Sequence, residues 1–256
     1  MVTPRSFKVR KCGVFCAGAL VALALYPAPA RAGMFAFTTP TGAKAGGGPV
    51  NSEADLTTTA GSILVTLRNL QANPTDVAQL LSDFSFTVGG GGSLTGSSQT
   101  GASSQELTVN GNGTFNIGAN LTTVAAVGWV YSSAATDGAL DVLTGPGHAG
   151  PAHLIIGPPG GGGTYSAANG SIAGNGPHNP FLNQSASFTL TAPNVTSDTT
   201  ITGVTFSFGT TEGANEIPGV PVAGVPEPGS IVLFATATGT LAGYFGWRRR
   251  KQIQAS

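Results

Sequence analysis

Phe84-Ser85-Phe86-Thr87-Val88 sets three large apolar side chains at every second position, with small hydroxyl residues between them. Successive side chains of a β-strand point to opposite faces, so this spacing buries Phe84, Phe86 and Val88 and turns Ser85 and Thr87 away. A helix needs apolar residues three and four apart, and no long stripe of that period runs through the middle of the chain. The alternation recurs at Ile63, Val65 and Leu67, at Phe188 and Leu190, and at Val204, Phe206 and Phe208. Weaker strands are predicted over Met34 to Thr38, Gln105 to Val109, Thr114 to Ile117, Gly128 to Ser132 and Leu154 to Ile156, with one short helix over Asp76 to Leu81. About nine short strands in one body of this size read as all-β, most simply a two-sheet antiparallel sandwich over residues 33–208.

Gly-rich breaks at Gly89 to Gly92 and Gly157 to Gly163 divide the strands, and the Gly/Pro-rich stretch from Gly145 to Pro180 reads as a long surface excursion. Residues 209–224 turn polar and then carry Pro218 and Pro221, the pattern of an extended spacer. At about 3.1 Å per residue such a spacer reaches on the order of 50 Å.

Both ends read as targeting segments. Arg5, Lys8, Arg10 and Lys11 precede the apolar run Cys12 to Leu25, and Ala30-Arg31-Ala32 supplies the small-residue pattern of signal-peptide cleavage. Residues 1–32 are therefore expected to be a secretory signal peptide cut after Ala32, with a cut after Ala30 as the alternative. Cys12 and Cys16 fall inside this leader, so disulfides, thiol catalysis and Cys-ligated zinc are excluded for the exported product. Nine of the eleven basic residues also lie in the two ends. Between Gly33 and Val225 only Lys44 and Arg68 are basic, against ten acids, which leaves a formal charge of −8. Such a surface argues against nucleic acid or anionic lipid headgroups as partners, because both are bound by Lys and Arg that displace counterions.

At the other end, Val225-Pro226-Glu227-Pro228 is followed by the uncharged residues Gly229 to Trp247 and then by Arg248-Arg249-Arg250-Lys251. As a helix, residues 229–247 span roughly 28 Å, close to the hydrocarbon core of a bilayer. The four cations resist translocation, so they orient this single transmembrane helix with everything before Pro226 outside the cytoplasmic membrane. Motif, span and basic end together resemble the PEP-CTERM sorting domain, the tail of bacterial proteins processed by exosortase. Gly229-Ser230 and the threonines at 236, 238 and 240 depart from the Leu-rich span usual in that family. The resemblance implies export, recognition near Pro226, Glu227 and Pro228 by an exosortase-type membrane enzyme, removal of the tail, and release or transfer of the body to the cell surface.

Candidate chemistry in the body is sparse. Gly145-Pro146-Gly147-His148-Ala149-Gly150 fits the dinucleotide pattern of spaced glycines, but Pro151 and Gly157-Pro158-Pro159 leave no helix to face a pyrophosphate. His148, His153 and His178, with Asp137 and Asp141 upstream, would hold a metal if folded together, yet no helical motif fixes their geometry and solvated loop histidines explain them as well. No calcium loop, serine nucleophile elbow or assignable pair of catalytic carboxylates occurs. Trp129 and Tyr131, two apart, would share one strand face and offer a stacking platform for a sugar ring, or else belong to the core. The sequence thus predicts a non-enzymatic surface or extracellular-matrix protein without cofactor or metal, its sorting residues at Pro226 to Pro228 and its orienting residues at Arg248 to Lys251. The alternatives are a carbohydrate-binding adhesin with exopolysaccharide as partner, and an exported metal-assisted hydrolase.

Overall fold

The computed structural model of the protein describes residues 32–166 and 170–222. The signal peptide expected over residues 1–32 lies outside them except for Ala32, and so does the whole tail 225–256 with its expected membrane helix. No helix of the described residues is long and apolar enough to cross a membrane.

The body is almost entirely β. In chain order its strands are β1 (Gly33–Thr38), β2 (Lys44–Ala45), β3 (Gly48–Pro49), β4 (Ser52–Thr59), β5 (Ser62–Asn69), β6 (Leu81–Gly89), β7 (Ser98–Val109) and β8 (Phe115–Leu121). The helical turn α1 (Val124–Val127) follows, then β9 (Val130–Ala134), β10 (Asp137–Asp141), β11 (Ile155–Ile156), β12 (Phe181–Thr191), β13 (Thr200–Phe208), β14 (Ile217–Pro218) and β15 (Val220–Pro221). Two branches result. One runs β15-β1-β4-β5-β12-β7-β8 and the other β14-β13-β6-β10-β9. The expectation of a purely antiparallel pair of sheets needs correction at β11, which runs parallel to β12 and antiparallel to β6. It ties both branches into one thirteen-stranded hydrogen-bonded network, and β2 with β3 forms a separate ribbon.

The alternation that predicts the strands also builds the core. Ile63, Val65 and Leu67 of β5 are fully buried, whereas Leu64 between them is exposed. Phe84, Phe86 and Val88 of β6, Phe188 and Leu190 of β12, and Phe206 and Phe208 of β13 join them in one continuous apolar cluster fed by both branches. Each fully buried side chain of this size contributes about 1.5–3 kcal/mol relative to exposure. In a body without cysteine, that burial holds the fold.

Three local expectations fail for identifiable reasons. Asp76 does cap a helical turn, accepting from the Ala78 N–H while the Gln79 side chain reaches back, but the turn covers only Val77–Gln79. Leu80 and Leu81 are both wanted by the core, so the chain goes extended at Leu80 and enters β6. The strand predicted from Gly128 starts later, because Val124–Val127 coils into α1, capped by Thr123 and ended by Gly128 in the left-handed region at φ 69°. A side chain at Gly128 would also meet the Ala149 Cβ at 2.3 Å. The stretch 145–180 is no surface excursion: Leu154, Ile155, Ile156 and Ile172 are fully buried, and the Asn69 side chain pins it by donating to the Ile155 carbonyl at 2.9 Å.

Candidate functional site

The described residues end in a strap. Residues through Val222, read from sequence as spacer, lie folded against the protein. Ile217 and Pro218 pair with Phe206 and Thr205 at the open edge of β13, and Val220 and Pro221 pair with Thr38 and Phe37 at the open edge of β1. The strap therefore crosses from the edge of one branch to the edge of the other, with Gly219 at the crossing. Its N–H bonds the Val204 carbonyl at 2.9 Å. A Cβ on Gly219 would stand 2.3 Å from Val204 Cγ2, 3.0 Å from Phe206 Cε2 and 3.5 Å from the Phe37 Cβ. No side chain fits there.

Both prolines suit this arrangement. In an antiparallel ladder, alternate residues aim their N–H at the partner and the others aim it outward. The Val222 N–H donates to Ala36 O at 2.9 Å, and Gly219 N–H to Val204 O at the same distance, which places Pro221 and Pro218 at outward positions. Neither missing N–H leaves a gap in the sheet, as edge strands require of proline. From Val222 to Gly229 at most about 25 Å of extended chain remains. The long reach expected of a free spacer is lost, and the body is held near the start of the tail.

Among the described residues, a groove of about 220 Å³ lies at the seam between β1 and β13, lined by Met34, Phe35, Phe37, Ile201, Pro221 and Val222 among others. Met34 is 45% and Val222 43% exposed. Ala32, the expected cleavage position, directly precedes β1. Ala30, the sorting residues Pro226, Glu227 and Pro228, and the orienting residues Arg248, Arg249, Arg250 and Lys251 lie outside the described residues.

Within the body, the structure separates what a metal site would have to bring together. His148 Nε2 stands 3.3 Å from Asp141 Oδ2, and His153 Nε2 stands 3.4 Å from Glu106 Oε1. His153 Nδ1 is 2.9 Å from the Val127 carbonyl, which fixes the ring as a tie between α1, β7 and the 145–180 stretch. His178 sits in the short turn Gly176–His178, and burial holds its pKa below the usual value. Among the described residues, no group of three or more His, Cys, Asp or Glu is placed to hold a metal ion. The stacking platform also fails. Trp129 is fully buried, its indole N–H donating to the His153 carbonyl at 2.9 Å and its ring 5.5 Å from Phe188. Tyr131 is half-buried, its hydroxyl 2.9 Å from Ser97 Oγ. The residues from Gly145 to Gly150 form turns and no helix start.

Sequence reasoning missed one unusual carboxyl. Asp83 of β6 lies directly opposite Asp141 of β10. Burial, and then the Asp141 charge, raise its pKa to about 6 against the pull of the Phe84 N–H, with Glu216 and Glu212 adding to the rise. Nothing in the alternation of β6 marks this position, since an acid at an outward place in a strand reads as solvated.

Residues 224–251 match the family model of the PEP-CTERM protein-sorting motif. The chain carries a PEP-CTERM sorting signal. The match begins two residues after Val222 in the sequence. The body lies outside this match, and neither the curated proteins nor the solved structures contain a match to the chain. A PEP-CTERM motif implies export and a membrane-associated precursor handled by an exosortase-type enzyme.

Proposed function

We propose that this protein is a non-enzymatic component of the bacterial cell surface or extracellular matrix, delivered as a folded acidic β body by its PEP-CTERM tail. The observation that carries the reading is the motif at residues 224–251, with its Pro-Glu-Pro, uncharged span and basic end in order. In the precursor, Arg248 to Lys251 stay cytoplasmic, residues 229–247 hold the bilayer, and Pro226 to Pro228 stand just outside it. The two prolines fix φ and keep the motif extended for the processing enzyme, while Glu227 gives it one negative handle between them.

A structural role for the body is supported by what its polar groups do. Two of the histidines are engaged within the body: His148 lies beside Asp141, and His153 beside Glu106 and a backbone carbonyl. The burial of Trp129 weighs against a sugar platform there, and among the described residues the three histidines are not gathered as metal-assisted hydrolysis would need. The test is the intact mass and C-terminal peptide of the protein recovered from the envelope and the medium of its host. A product ending near Pro226 to Gly229 is expected. A protein that keeps its tail through Ser256 in every fraction refutes the processing step.

A further inference from the structure

Two loops leave the body at the same end of one branch and meet over the strand between them. β13 and β10 flank β6 and both run antiparallel to it, so each ends beside the start of β6: Phe208 stands opposite Leu81, and Asp141 opposite Asp83. The loop after β10 and the loop after β13, residues 209–216, close on each other there, the Thr144 hydroxyl donating to Glu212 Oε2 at 2.6 Å. Asp83 lies on the strand that this contact bridges, between Ser207 of β13 and Asp141 of β10. An acid at an outward strand position is ordinarily solvated, but Asp83 Oδ1 is buried and has no hydrogen-bond partner among the described residues.

The two cross-strand acids are satisfied differently. Asp141, 15% exposed, is served by its own loop: its Oδ1 accepts from the Leu143 N–H at 2.8 Å, and its Oδ2 lies 3.3 Å from both the Thr144 nitrogen and His148 Nε2. Asp83 has the Phe84 N–H in favour of its charge, and against it burial, Asp141, Glu216 and Glu212. From β13 it meets the neutral Ser207. The two cations of the body do not compensate. Arg68 is held by Glu53 and Asp55, and Lys44, on the ribbon that touches the loop where the Gly46 N–H donates to Asn215 Oδ1, is exposed. Closing the loops is therefore easiest when the Asp83 carboxyl is neutral.

We propose that the two loops form a pH-operated clasp, closed while Asp83 carries a proton and opened by its ionisation, the 209–216 loop lifting from β6 and loosening the first rung of the strap. Opening lets water reach the Asp83 carboxylate and moves Glu212 and Glu216 away from it, and both changes favour the charged form. The rung follows because Glu216 directly precedes Ile217, which pairs with Phe206. The other ties of the loop are local: the Gly209 N–H donates to Leu80 O at 2.9 Å, and the Asn215 side chain donates to Phe208 O at 3.1 Å. They part without disturbing β4, β5 and β12, and Val220 and Pro221 stay on β1. The strap thus has one hold that depends on pH and one that does not.

The experiment is single-amide hydrogen exchange on the full chain in detergent micelles at pH 5 and pH 7.5, corrected for the intrinsic pH dependence of exchange. It is read at Gly209, at Gly219, and at Val65 of β5, a strand paired on both sides. A carboxyl that titrates at about 6 under the closed loops and at 3.8 in water raises the opening constant about tenfold between these conditions. Protection at Gly209 and Gly219 should fall by that factor and depend little on low urea, whereas protection at Val65 should fall steeply with urea, because it is lost only by global unfolding. Asp83→Asn should abolish the fall. Thr144→Val, at an exposed position and with every carboxyl left in place, should lower Gly219 protection at pH 5 by about threefold or more. Equal protection at the two pH values, a fall that persists in Asp83→Asn, or Thr144→Val without effect at pH 5 overturns the clasp. So does a Gly219 amide with the urea slope of Val65, since its exchange then belongs to global unfolding.

Discussion

Gly219→Ala tests whether the strap is a built part of the body or a loose overlay. The added methyl would sit 2.3 Å from Val204 Cγ2 and 3.0 Å from Phe206 Cε2, well inside van der Waals contact. Val204 is 6% exposed, Phe206 is fully buried, and a β-branched valine in a strand has few rotamers to retreat into. Overpacking of this kind costs about 1–3 kcal/mol. If the strap lifts instead, the loss is of the same order, because Phe37 and Ile217, now 5% and 9% exposed, are uncovered. Urea unfolding of the full chain in detergent micelles, followed by Trp129 fluorescence in a Trp247→Phe background, reads the change. The double variant Gly219→Ala with Val204→Ala identifies its cause. Removing the colliding Cγ2 methyl together with Cγ1 should make the glycine substitution at least about 1 kcal/mol cheaper than it is beside Val204. A Gly219→Ala protein within about 0.5 kcal/mol of the native one, with no coupling to Val204, refutes the packed crossing.

Two further outcomes follow from the body. Asp83 binds its proton more tightly folded than unfolded, its pKa rising from 3.8 to about 6, so stability should fall as pH rises through that window, by about 2–3 kcal/mol. Asp83→Asn should flatten this slope and stabilise the protein at pH 7; urea midpoints at pH 4, 5, 6 and 7 that keep the native slope in the variant refute the assignment. Trp129→Phe gives up the bond to the His153 carbonyl and part of the contact with Phe188, at a cost of about 2 kcal/mol or more. A thermal midpoint unchanged by that substitution, or Trp129 fluorescence that shifts on adding soluble glycans, contradicts the buried placement.

The sequence made the large apolar strands legible because their core faces are written in Ile, Leu, Val and Phe. It hid β4, whose inward face is Ser52, Ala54, Leu56 and Thr58, residues that carry little hydropathy and are buried because β1 and β5 flank them. The outward Glu53 and Asp55 look like a loop until Arg68 of β5 appears across the ladder and pairs with both. The first half of β7 is hidden in the same way by its serines and threonines. The 145–180 stretch failed differently. Its glycines and prolines do mark turns, but short apolar runs between them, Leu154 to Ile156 above all, are enough to pull it into the core. The tail, by contrast, was legible because its three parts are read in linear order and need no partner in space.

The strap shows why such a segment escapes a reading from composition and why that matters for sorting. Proline three residues from proline, flanked by Gly and Val, is what a flexible or extended linker looks like, and composition alone cannot say which way each missing N–H would have pointed. Pairing decides it. Pro218 and Pro221 both face away from the strands they cover, one on β13 and one on β1, and only a glycine between them lets the chain pass from the first edge to the second. The prolines thereby also close two sheet edges against pairing with another chain, a hazard for any β body with open edges. A linker would have left the Pro-Glu-Pro motif to be found by diffusion at the end of a long tether. A strap paired through Val222 instead leaves at most about 25 Å of extended chain between the body and Gly229, so under the sorting reading proposed above the motif is met close to the folded body.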